Sequence, residues 1–408
     1  MRTPAIAVTG LGMITPVGND TESTWDGVCA AASPVRTVPA LAGCAVDFAC
    51  VVDGIDLDAE IGRRTAFRMG RYVKFAILAA REAVADAGLD PAGWDGSRVA
   101  VVVGTSSGGT AHLTDQALVL ERRGPEATSP AGVLLTIPNM PAAEIAIEMR
   151  ATGPSMAPCT ACSSGVTALS VARDLLATGQ CDVAIAGATE STVFPIAMTG
   201  FARSGAAAHP DGGDLSRLCR PFAADRAGLV MGEGAAVMVL ERAADAEARG
   251  AEPRALLAGT GATTDAHHPT SPRPDGRIAG AAVEAALRDA GWRAEDVEHV
   301  NAHGTATERN DAAEAALIAR MYPHRPPVTA PKGVLGHCMG AAGAIEAGLT
   351  ILTLQRGVIP PVANLDAPAP GFDIDCVTKR PLVRPVRRAV SHSFGFGGHN
   401  AVVALLRP

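Results

Sequence analysis

The sequence predicts an α/β fold in which two similar halves surround a shared cleft. Apolar strands alternate with alanine-rich helices, which is typical of a sandwich with buried parallel strands. With 408 residues, 48% hydrophobic and 19% charged, the chain has the size and composition of a well-buried globular protein of two or three domain-sized units. The same motifs also recur in both halves in the same order. We therefore predict two units, residues 1–250 and 251–408.

The repeat consists of four correspondences. A helix ending at Gly88 precedes an apolar strand, and so does a helix ending at Gly291. These strands lie at 99–103 and 298–303, and the three remaining pairs are the helix starts at 162–165 and 340–343, the glycine-rich hairpins at 231–234 and 395–398, and the opening strands at 5–9 and 255–259. Alanine-rich helices can resemble one another by composition alone, but four correspondences in one order favour a duplication. Equivalent loops of a duplicated unit then meet at one cleft.

Composition excludes several classes of function. A net charge of −7 argues against a general nucleic-acid-binding protein. No stretch approaches 18 apolar residues, so no membrane span is expected, and the N-terminus lacks the apolar segment of a secretory signal. Nine scattered cysteines favour reduced thiols over a disulfide framework. We therefore expect a cytoplasmic protein with no metal site.

Cys162 is the candidate nucleophile. It precedes an apolar helix at 166–176, and the positive end of a helix dipole favours a thiolate. The free amides at the same helix start can also hold a thioester oxyanion. Cys159 and Cys162 form a Cys-x-x-Cys pair, which leaves a redox dithiol or half of a zinc site as alternatives. A second cysteine pair at zinc-site spacing is absent from the sequence, and a redox dithiol is expected in a smaller βαβ context.

Two histidines and a lysine complete the predicted site. His303 ends a strand, and His337 precedes a glycine-rich helix start, at matching places in the repeat. Neutral imidazole N–H groups suit the enolate that forms when a malonyl thioester loses carbon dioxide. Lys332 is one of only three lysines, and its cation would disfavour imidazolium. Glu346 lies 14 residues further on and can balance that charge.

Two further segments border the predicted cleft. Thr305 and Thr307 alternate on an extended segment, so both hydroxyls can bind the amides of a pantetheine arm. The hairpin at 395–398 can supply a second oxyanion amide and an aromatic gate at Phe396. A tight hairpin with a packed phenylalanine is the alternative, and the two interpretations are compatible.

Taken together, these motifs resemble the β-ketoacyl-acyl-carrier-protein synthases of type II fatty-acid and polyketide systems. The resemblance runs from residues 8–12 to 398–401 and includes the segments 160–162, 220–226, 301–305, 332–337, 340–346 and 393–398. It implies a thiolase fold, built as a five-layer αβαβα sandwich, and decarboxylative Claisen condensation of an acyl chain on Cys162 with malonyl-acyl carrier protein. It also implies an oxyanion hole formed by the amides of Cys162 and Phe396, a substrate contact at Phe394, and an active-site place for Asp311.

The resemblance also implies partners. Substrates arrive on the phosphopantetheine of an acyl carrier protein, so no cofactor of the chain's own is expected. The chain is expected to form a homodimer, or a heterodimer with a chain-length-factor-like subunit. Three departures from the family pattern are Ala223, Ala227 and Gly333, of which Gly333 is expected to loosen the Lys332 loop. Ser107 stands where relatives often carry an apolar pocket residue, which suggests an acyl tunnel that accepts a longer or more polar chain.

A basic segment is the predicted carrier docking site. Between residues 63 and 81 the sequence has six basic residues and no acidic one. Arg64, Arg68 and Arg71 have the spacing of one helical face, and Arg63 lies beside them. The resemblance adds Arg203, Arg122 and Arg123. A solvated basic face without a partner is the alternative.

Three other functions remain open from the sequence. A thiolase shares the fold but does not decarboxylate its substrate. A chain-length partner subunit would be largely non-catalytic, although such subunits usually lack the cysteine found at residue 162. A dithiol oxidoreductase would require Cys159. Neither the pathway, fatty acid or polyketide, nor the product length follows from the sequence.

Overall fold

A computed structural model describes residues 4–209 and 212–408. Its strands are β1 (Ile6–Ile14), β2 (Arg36–Thr37), β3 (Phe48–Ala49), β4 (Val99–Gly104), β5 (Ser155–Met156), β6 (Val183–Ser191), β7 (Glu233–Arg242), β8 (Ala255–Thr264), β9 (His299–Asn301), β10 (Pro327–Thr329), β11 (Val358–Ile359), β12 (Asp375–Cys376), β13 (Leu382–Val383), β14 (Arg388–Gly395) and β15 (His399–Leu406).

The α-helices are α1 (Thr21–Ala30), α2 (Leu57–Ile61), α3 (Arg63–Ala66), α4 (Arg71–Asp86), α5 (Thr110–Arg123), α6 (Gly132–Thr136), α7 (Met140–Glu148), α8 (Ser164–Ala177), α9 (Pro195–Arg203), α10 (Ala243–Ala248), α11 (Arg277–Ala290), α12 (Glu308–Met321), α13 (Lys332–Leu335) and α14 (Ala342–Arg356). Short 3₁₀ turns connect several of them.

The main sheet shows the duplication directly. In the first half the strand order is β1-β7-β6-β4-β5, and in the second half it is β8-β15-β14-β9-β10, with β12 added at the edge. Parallel and antiparallel pairings also fall at the same places in both halves. Antiparallel pairing of β1 with β8, beginning at Ile6 opposite Leu257, joins the halves into one sheet of eleven strands. The predicted repeat is therefore confirmed.

Helices lie between and outside the two half-sheets. The equivalent helices α8 and α14 pack against each other in the centre, and α14 is buried along almost its whole length, as its apolar sequence requires. A Cβ at Gly165 of α8 would lie 2.4 Å from the backbone nitrogen of Ala344, so glycine is needed where these helices meet. On the outer faces α4 covers the first half-sheet and α11 the second.

The resulting layers, helix, sheet, helix pair, sheet and helix, are the predicted αβαβα arrangement. One apolar cluster fills the centre around α8 and α14, and separate clusters lie beneath α4 and α11. The division at residue 250 stays a prediction, because the halves share a sheet and a central core. Within the described ranges, no helix combines the length and apolar character that crossing a bilayer requires.

Candidate active site

Cys162 lies where two tightly packed segments meet. It directly precedes Ser163, the N-cap residue of α8, which is the position expected from the sequence. Ala161 adopts a positive φ of 51°, a strained conformation for a residue with a side chain. Behind it, a Cβ at Gly395 would lie 2.7 Å from the carbonyl oxygen of Thr160, so only glycine lets the end of β14 approach this turn. The thiol is thereby held at a fixed position with 8% exposure.

Burial dominates the acidity of this thiol. It raises the pKa of Cys162 to about 11, while the Lys332 cation and a hydrogen bond from the backbone N–H of Phe396 act in the opposite direction. The thiolate expected from the helix dipole is therefore outweighed by desolvation, and the resting side chain is a thiol. The Phe396 amide nevertheless points at the sulfur, where an oxyanion donor is required.

His303 follows β9 and is almost fully buried. Its backbone N–H donates to Oε1 of Glu314 at 2.7 Å, and the N–H of Gly304 donates to Oε2 at 2.8 Å. One carboxylate thus holds the turn that carries the imidazole. Burial, followed by the charge of Lys332, places the pKa of His303 well below its ordinary value, so the ring is neutral.

Lys332 fixes the tautomer of that ring. Its Nζ lies 3.2 Å from Nδ1 of His303 and 2.5 Å from the same residue's carbonyl oxygen, and it also donates to Glu346. Because an ammonium group only donates, Nδ1 of His303 accepts, and the ring proton resides on Nε2. The three donors of Lys332 are all used, which explains how a lysine with 2% exposure is accommodated.

His337 has the same tautomer for a different reason. The backbone N–H of Met339 donates to its Nδ1 at 3.2 Å, so its proton is also on Nε2. Burial and the nearby Lys332 lower the pKa of His337 well below its ordinary value. The rings of His303 and His337 contact edge to face, with centroids 5.4 Å apart.

Glu346 balances the charge of Lys332 inside the core. Burial raises the pKa of Glu346 to about 7, while Lys332 acts to lower it. Its second oxygen, Oε2, has no hydrogen-bond partner, and neither do the neighbouring buried oxygens Oδ1 of Asn301 and Oγ of Ser391. These oxygens can accept from ordered water. No group of three or more histidine, cysteine or acidic side chains with a metal-binding arrangement occurs in residues 4–209 and 212–408.

Sulfur and imidazoles line one cavity. Cys162, His303 and His337 border a cavity of about 380 Å³, which Phe394 and Phe396 also line. Phe396 is 37% exposed, and its ring stacks on Phe201 with centroids 6.2 Å apart. An exposed aromatic ring beside buried reactive groups suits a gate.

The predicted pantetheine contacts also line this cavity. The hydroxyls of Thr305 and Thr307 lie 2.8 Å apart, so both face the same groove, as their alternation suggested. Asp311 lies just behind, fully buried, where its carboxylate accepts from the backbone N–H of Phe222 at 2.8 Å. Burial raises the pKa of Asp311 to about 7. Its place is thus beneath the cavity wall and not in the lining.

One expectation from the sequence stays a prediction, and another needs correction. Ser107 is not among the residues that line the described cavity, and its backbone N–H donates to the carboxylate of Glu190 in the turn before α5, so its part in an acyl tunnel stays a prediction. Gly333 does not loosen the Lys332 loop. It is buried in α13, where an added Cβ would lie 3.0 Å from the carbonyl oxygen of Ala363, so glycine permits close packing.

The predicted basic helical face is also wrong in part. α3 ends at Ala66 and α4 begins only at Arg71, so Arg64, Arg68 and Arg71 do not share one helix. Arg68 forms a two-point ion pair with buried Glu144, and Arg71 donates to buried Glu233. These two guanidinium groups stabilise the fold.

Five of the predicted docking residues lie on the surface without a buried ion-pair partner. Arg64, Arg122, Arg123 and Arg203 are exposed, and Arg63 pairs with exposed Asp56 at 2.9 Å. Arg203 ends α9, which also carries the cavity residue Phe201.

Glu190 and Glu314 are site residues that the sequence did not reveal. Glu190 ends the buried part of β6 and accepts from the amides of Ser106 and Gly340, at 2.8 and 3.2 Å. It therefore ties the end of β4 to the start of the central helix α14. A glutamate in an otherwise apolar strand was the available signal, but its partners lie 84 and 150 residues away in the chain.

Two family models and several known proteins match this chain. Residues 3–246 match the family model of the β-ketoacyl synthase N-terminal domain, and residues 254–366 match that of its C-terminal domain. The 3-oxoacyl-[acyl-carrier-protein] synthase 2 of Staphylococcus aureus (strain N315) is 35% identical over 403 residues, with 98% of this chain and 97% of the relative covered. The enzyme of the same name from Synechocystis sp. is 37% identical over 406 residues, with the same coverage.

Solved structures show the same fold. The ishigamide ketosynthase/chain length factor has a TM-score of 0.92 and 33% identity, with both chains fully covered. A β-ketoacyl synthase from Burkholderia phymatum STM815 has a TM-score of 0.92 and 30% identity, covering 99% of this chain and all of that one. The ketosynthase complex AntDE:AntF, with a type II polyketide synthase acyl-carrier protein, also reaches 0.92 at 26% identity with full coverage.

Proposed function

The chain belongs to the β-ketoacyl synthase family, and on that premise we propose that Cys162 carries the growing acyl chain while His303 and His337 stabilise the enolate. The protein is an acyltransferase of the ketosynthase type. Its reaction is the decarboxylative Claisen condensation of an enzyme-bound acyl chain with a malonyl thioester.

The first step is acyl transfer to sulfur. The Cys162 thiol attacks the acyl thioester carbonyl, a new carbon–sulfur bond forms, and the proton lost from Cys162 leaves with the carrier thiol. The amides of Cys162 and Phe396 receive the oxyanion. Because burial keeps Cys162 protonated, loss of the proton accompanies attack.

The second step is decarboxylation. The malonyl carboxylate leaves as carbon dioxide, and the bonding electrons become an enolate on the thioester. The Nε2–H groups of His303 and His337 are neutral donors suited to that oxygen, since imidazolium would protonate the enolate. The enolate carbon then attacks the acyl carbonyl on Cys162, the carbon–sulfur bond breaks, and the released thiolate takes a proton from solvent.

One observation carries this proposal: two neutral imidazoles, each with Nδ1 occupied as an acceptor, border the same cavity as a buried thiol. A thiolase-type reaction involves no decarboxylation, and the two neutral imidazoles held beside Cys162 favour the decarboxylating reaction. A redox dithiol is not supported either, because Cys159 is exposed and its sulfur contacts the carbonyl oxygen of Ser106.

Intact-mass analysis with acyl carriers tests the assignment. The wild-type chain should gain one acyl group, and Cys162→Ala should gain none. Separately, release of carbon dioxide from malonyl carrier should fall about 10²- to 10³-fold in His303→Ala, the usual loss when one oxyanion donor is removed. Acylation at another cysteine would refute the proposed nucleophile.

We propose that an acyl carrier protein delivers both substrates on its phosphopantetheine arm, as the names of the relatives suggest. Carrier proteins are acidic, and exposed Arg63, Arg64 and Arg203 complement that charge. Arg64→Glu should raise KM for a carrier-bound substrate and leave KM for a small thioester unchanged. Arg293→Glu, an exposed change in the linker before β9, is the matched control. Equal effects on both substrates would contradict docking at Arg64.

The proposed assembly is a dimer, either of two copies or with a chain-length-factor-like subunit such as the one named for the ishigamide structure. The edge strand β5 is exposed, and α5 and α6 present exposed apolar side chains: Leu113, Leu118, Leu120, Val133 and Leu134. An apolar surface beside an open strand edge is expected to be covered. Native mass measurement of the purified chain distinguishes the self-pair from the heterodimer.

Relatives of both fatty-acid and polyketide type match, so both pathways remain proposals, as does a cytoplasmic location.

A further inference from the structure

The entrance of the active-site cavity carries a cation that the chemistry above does not use. Arg309 is the only lysine or arginine among the described residues lining the cavity. Its Nη1 donates to Oγ of Ser271 at 2.6 Å, and both residues line the cavity, where Arg309 is exposed to solvent. This one contact sets the direction of the guanidinium and leaves further N–H donors available.

The segment from His303 to Arg309 leads outward from the reacting atoms. His303 and Thr305 are 3% and 6% exposed, Thr307 is half-buried, and Arg309 is exposed. Six residues span at most about 20 Å. A substrate arm whose thioester lies at His303 and whose amides lie at the two threonines would follow this segment outward towards Arg309.

Resting on the proposed function, we propose that Arg309, with Ser271, binds the phosphodiester group of the carrier's phosphopantetheine arm. Guanidinium groups bind phosphate oxygens through paired N–H bonds. The 14-residue helix α12 begins beside this point, and its N-cap residue Thr307 makes no side-chain capping bond to the first-turn amides. Those amides add a favourable field for an anion. Arg309 is thus a binding residue for the arm and not a catalytic residue.

Two carboxylates that line the cavity repel an anion, and they differ in their hydrogen bonding. Both oxygens of Asp265 already accept a hydrogen bond: Oδ1 accepts from Nδ2 of Asn400 at 2.8 Å, and Oδ2 accepts from the amide of Arg273 at 3.0 Å. Glu308 lines the cavity, is exposed, and directly precedes Arg309. Neutralising Glu308 should therefore strengthen phosphate binding, while neutralising Arg309 should weaken it.

The test compares 4′-phosphopantetheine with pantetheine as inhibitors of malonyl-carrier decarboxylation. In the wild-type protein the phosphate should tighten inhibition about tenfold, as for one charge-assisted contact near solvent. Arg309→Gln should bring the ratio of the two inhibition constants close to one, and Glu308→Gln should increase it. Arg288→Gln, an exposed change at the far end of α11, should keep the wild-type ratio.

A wild-type ratio in Arg309→Gln would overturn the proposal, even while normal condensation upheld the proposed function. If Arg309→Gln does not fold, Glu308→Gln decides, since an unchanged or smaller ratio there would also overturn it. Absence of decarboxylation in the wild-type protein would instead remove the proposed function itself. The ratio of two inhibitors that differ only in phosphate separates charge recognition from a general structural effect.

Discussion

Replacing Lys332 by methionine tests whether its cation stabilises the buried site and fixes the tautomer of His303. The Nζ group serves three acceptors, Nδ1 and the carbonyl oxygen of His303 and a carboxylate oxygen of Glu346. Both partners of the Lys332–Glu346 ion pair are 2% exposed. Removing one partner of a buried pair costs about 3–5 kcal/mol of unfolding free energy. The variant should lose roughly that amount in chemical denaturation.

The same change should also allow His303 to adopt either neutral tautomer. Without a donor at Nδ1, the ring proton is no longer confined to Nε2, and one enolate donor is lost for part of the population. We expect decarboxylation of malonyl carrier to fall by up to about 10²- to 10³-fold, the range for one oxyanion donor. The readout is carbon dioxide release from malonyl carrier.

A second variant separates stability from tautomer control. Lys332→Met with Glu346→Gln has no unpaired buried carboxylate and should recover much of the lost stability, yet decarboxylation should stay low. Lys379→Met, which removes an exposed lysine 4.0 Å from Asp366, should change neither quantity. Wild-type decarboxylation in either Lys332 variant would refute the tautomer argument.

Three further predictions address the nucleophile, the central helices and a buried acid. Cys159→Ser should keep acyl loading in intact-mass analysis; loss of loading would favour a dithiol. Gly165→Ala should lower stability by about 1–3 kcal/mol or more, since its Cβ would lie 2.4 Å from the Ala344 nitrogen, and an unchanged denaturation midpoint would contradict that packing. Burial raises the pKa of Asp311 from 3.8 to about 7, so the folded state binds its proton more tightly and this contribution to stability is lost as pH rises across that window. Asp311→Asn should flatten this decline when unfolding is measured at several pH values, and an unaltered slope would exclude Asp311 as its source.

The sequence predicted those parts of the site that a repeat makes visible. Cys162 and His337 occupy equivalent helix starts, and His303 ends a strand equivalent to β4, so periodic patterns and turn residues located all three. The five layers were expected from the family resemblance, and the strand order repeats in the two halves of the sheet. Local pattern is sufficient here because each residue is positioned by the element next to it in the chain.

Side-chain partners distant in sequence escaped prediction for the opposite reason. The segment at 63–81 contains no acidic residue, yet Arg68 pairs with Glu144 and Arg71 with Glu233, 76 and 162 residues away. Counting local charge therefore missed that these two guanidinium groups form ion pairs within the fold, and docking at Arg68 stays a prediction. The glycine at position 70, which precedes α4, was the available signal that the basic residues do not share one helix.

The duplication also explains why the reacting groups can be held without a long loop. Cys162 lies at the start of α8 and His337 shortly before α14, and these two helices meet in the central layer at Gly165 and Ala344. Their separation is therefore set by helix packing, which yields little to thermal motion, and Glu190 adds a fixed tie from β6 to Gly340. It follows that an enlarged residue at Gly165 should impair condensation by changing the spacing of sulfur and imidazole before it prevents folding.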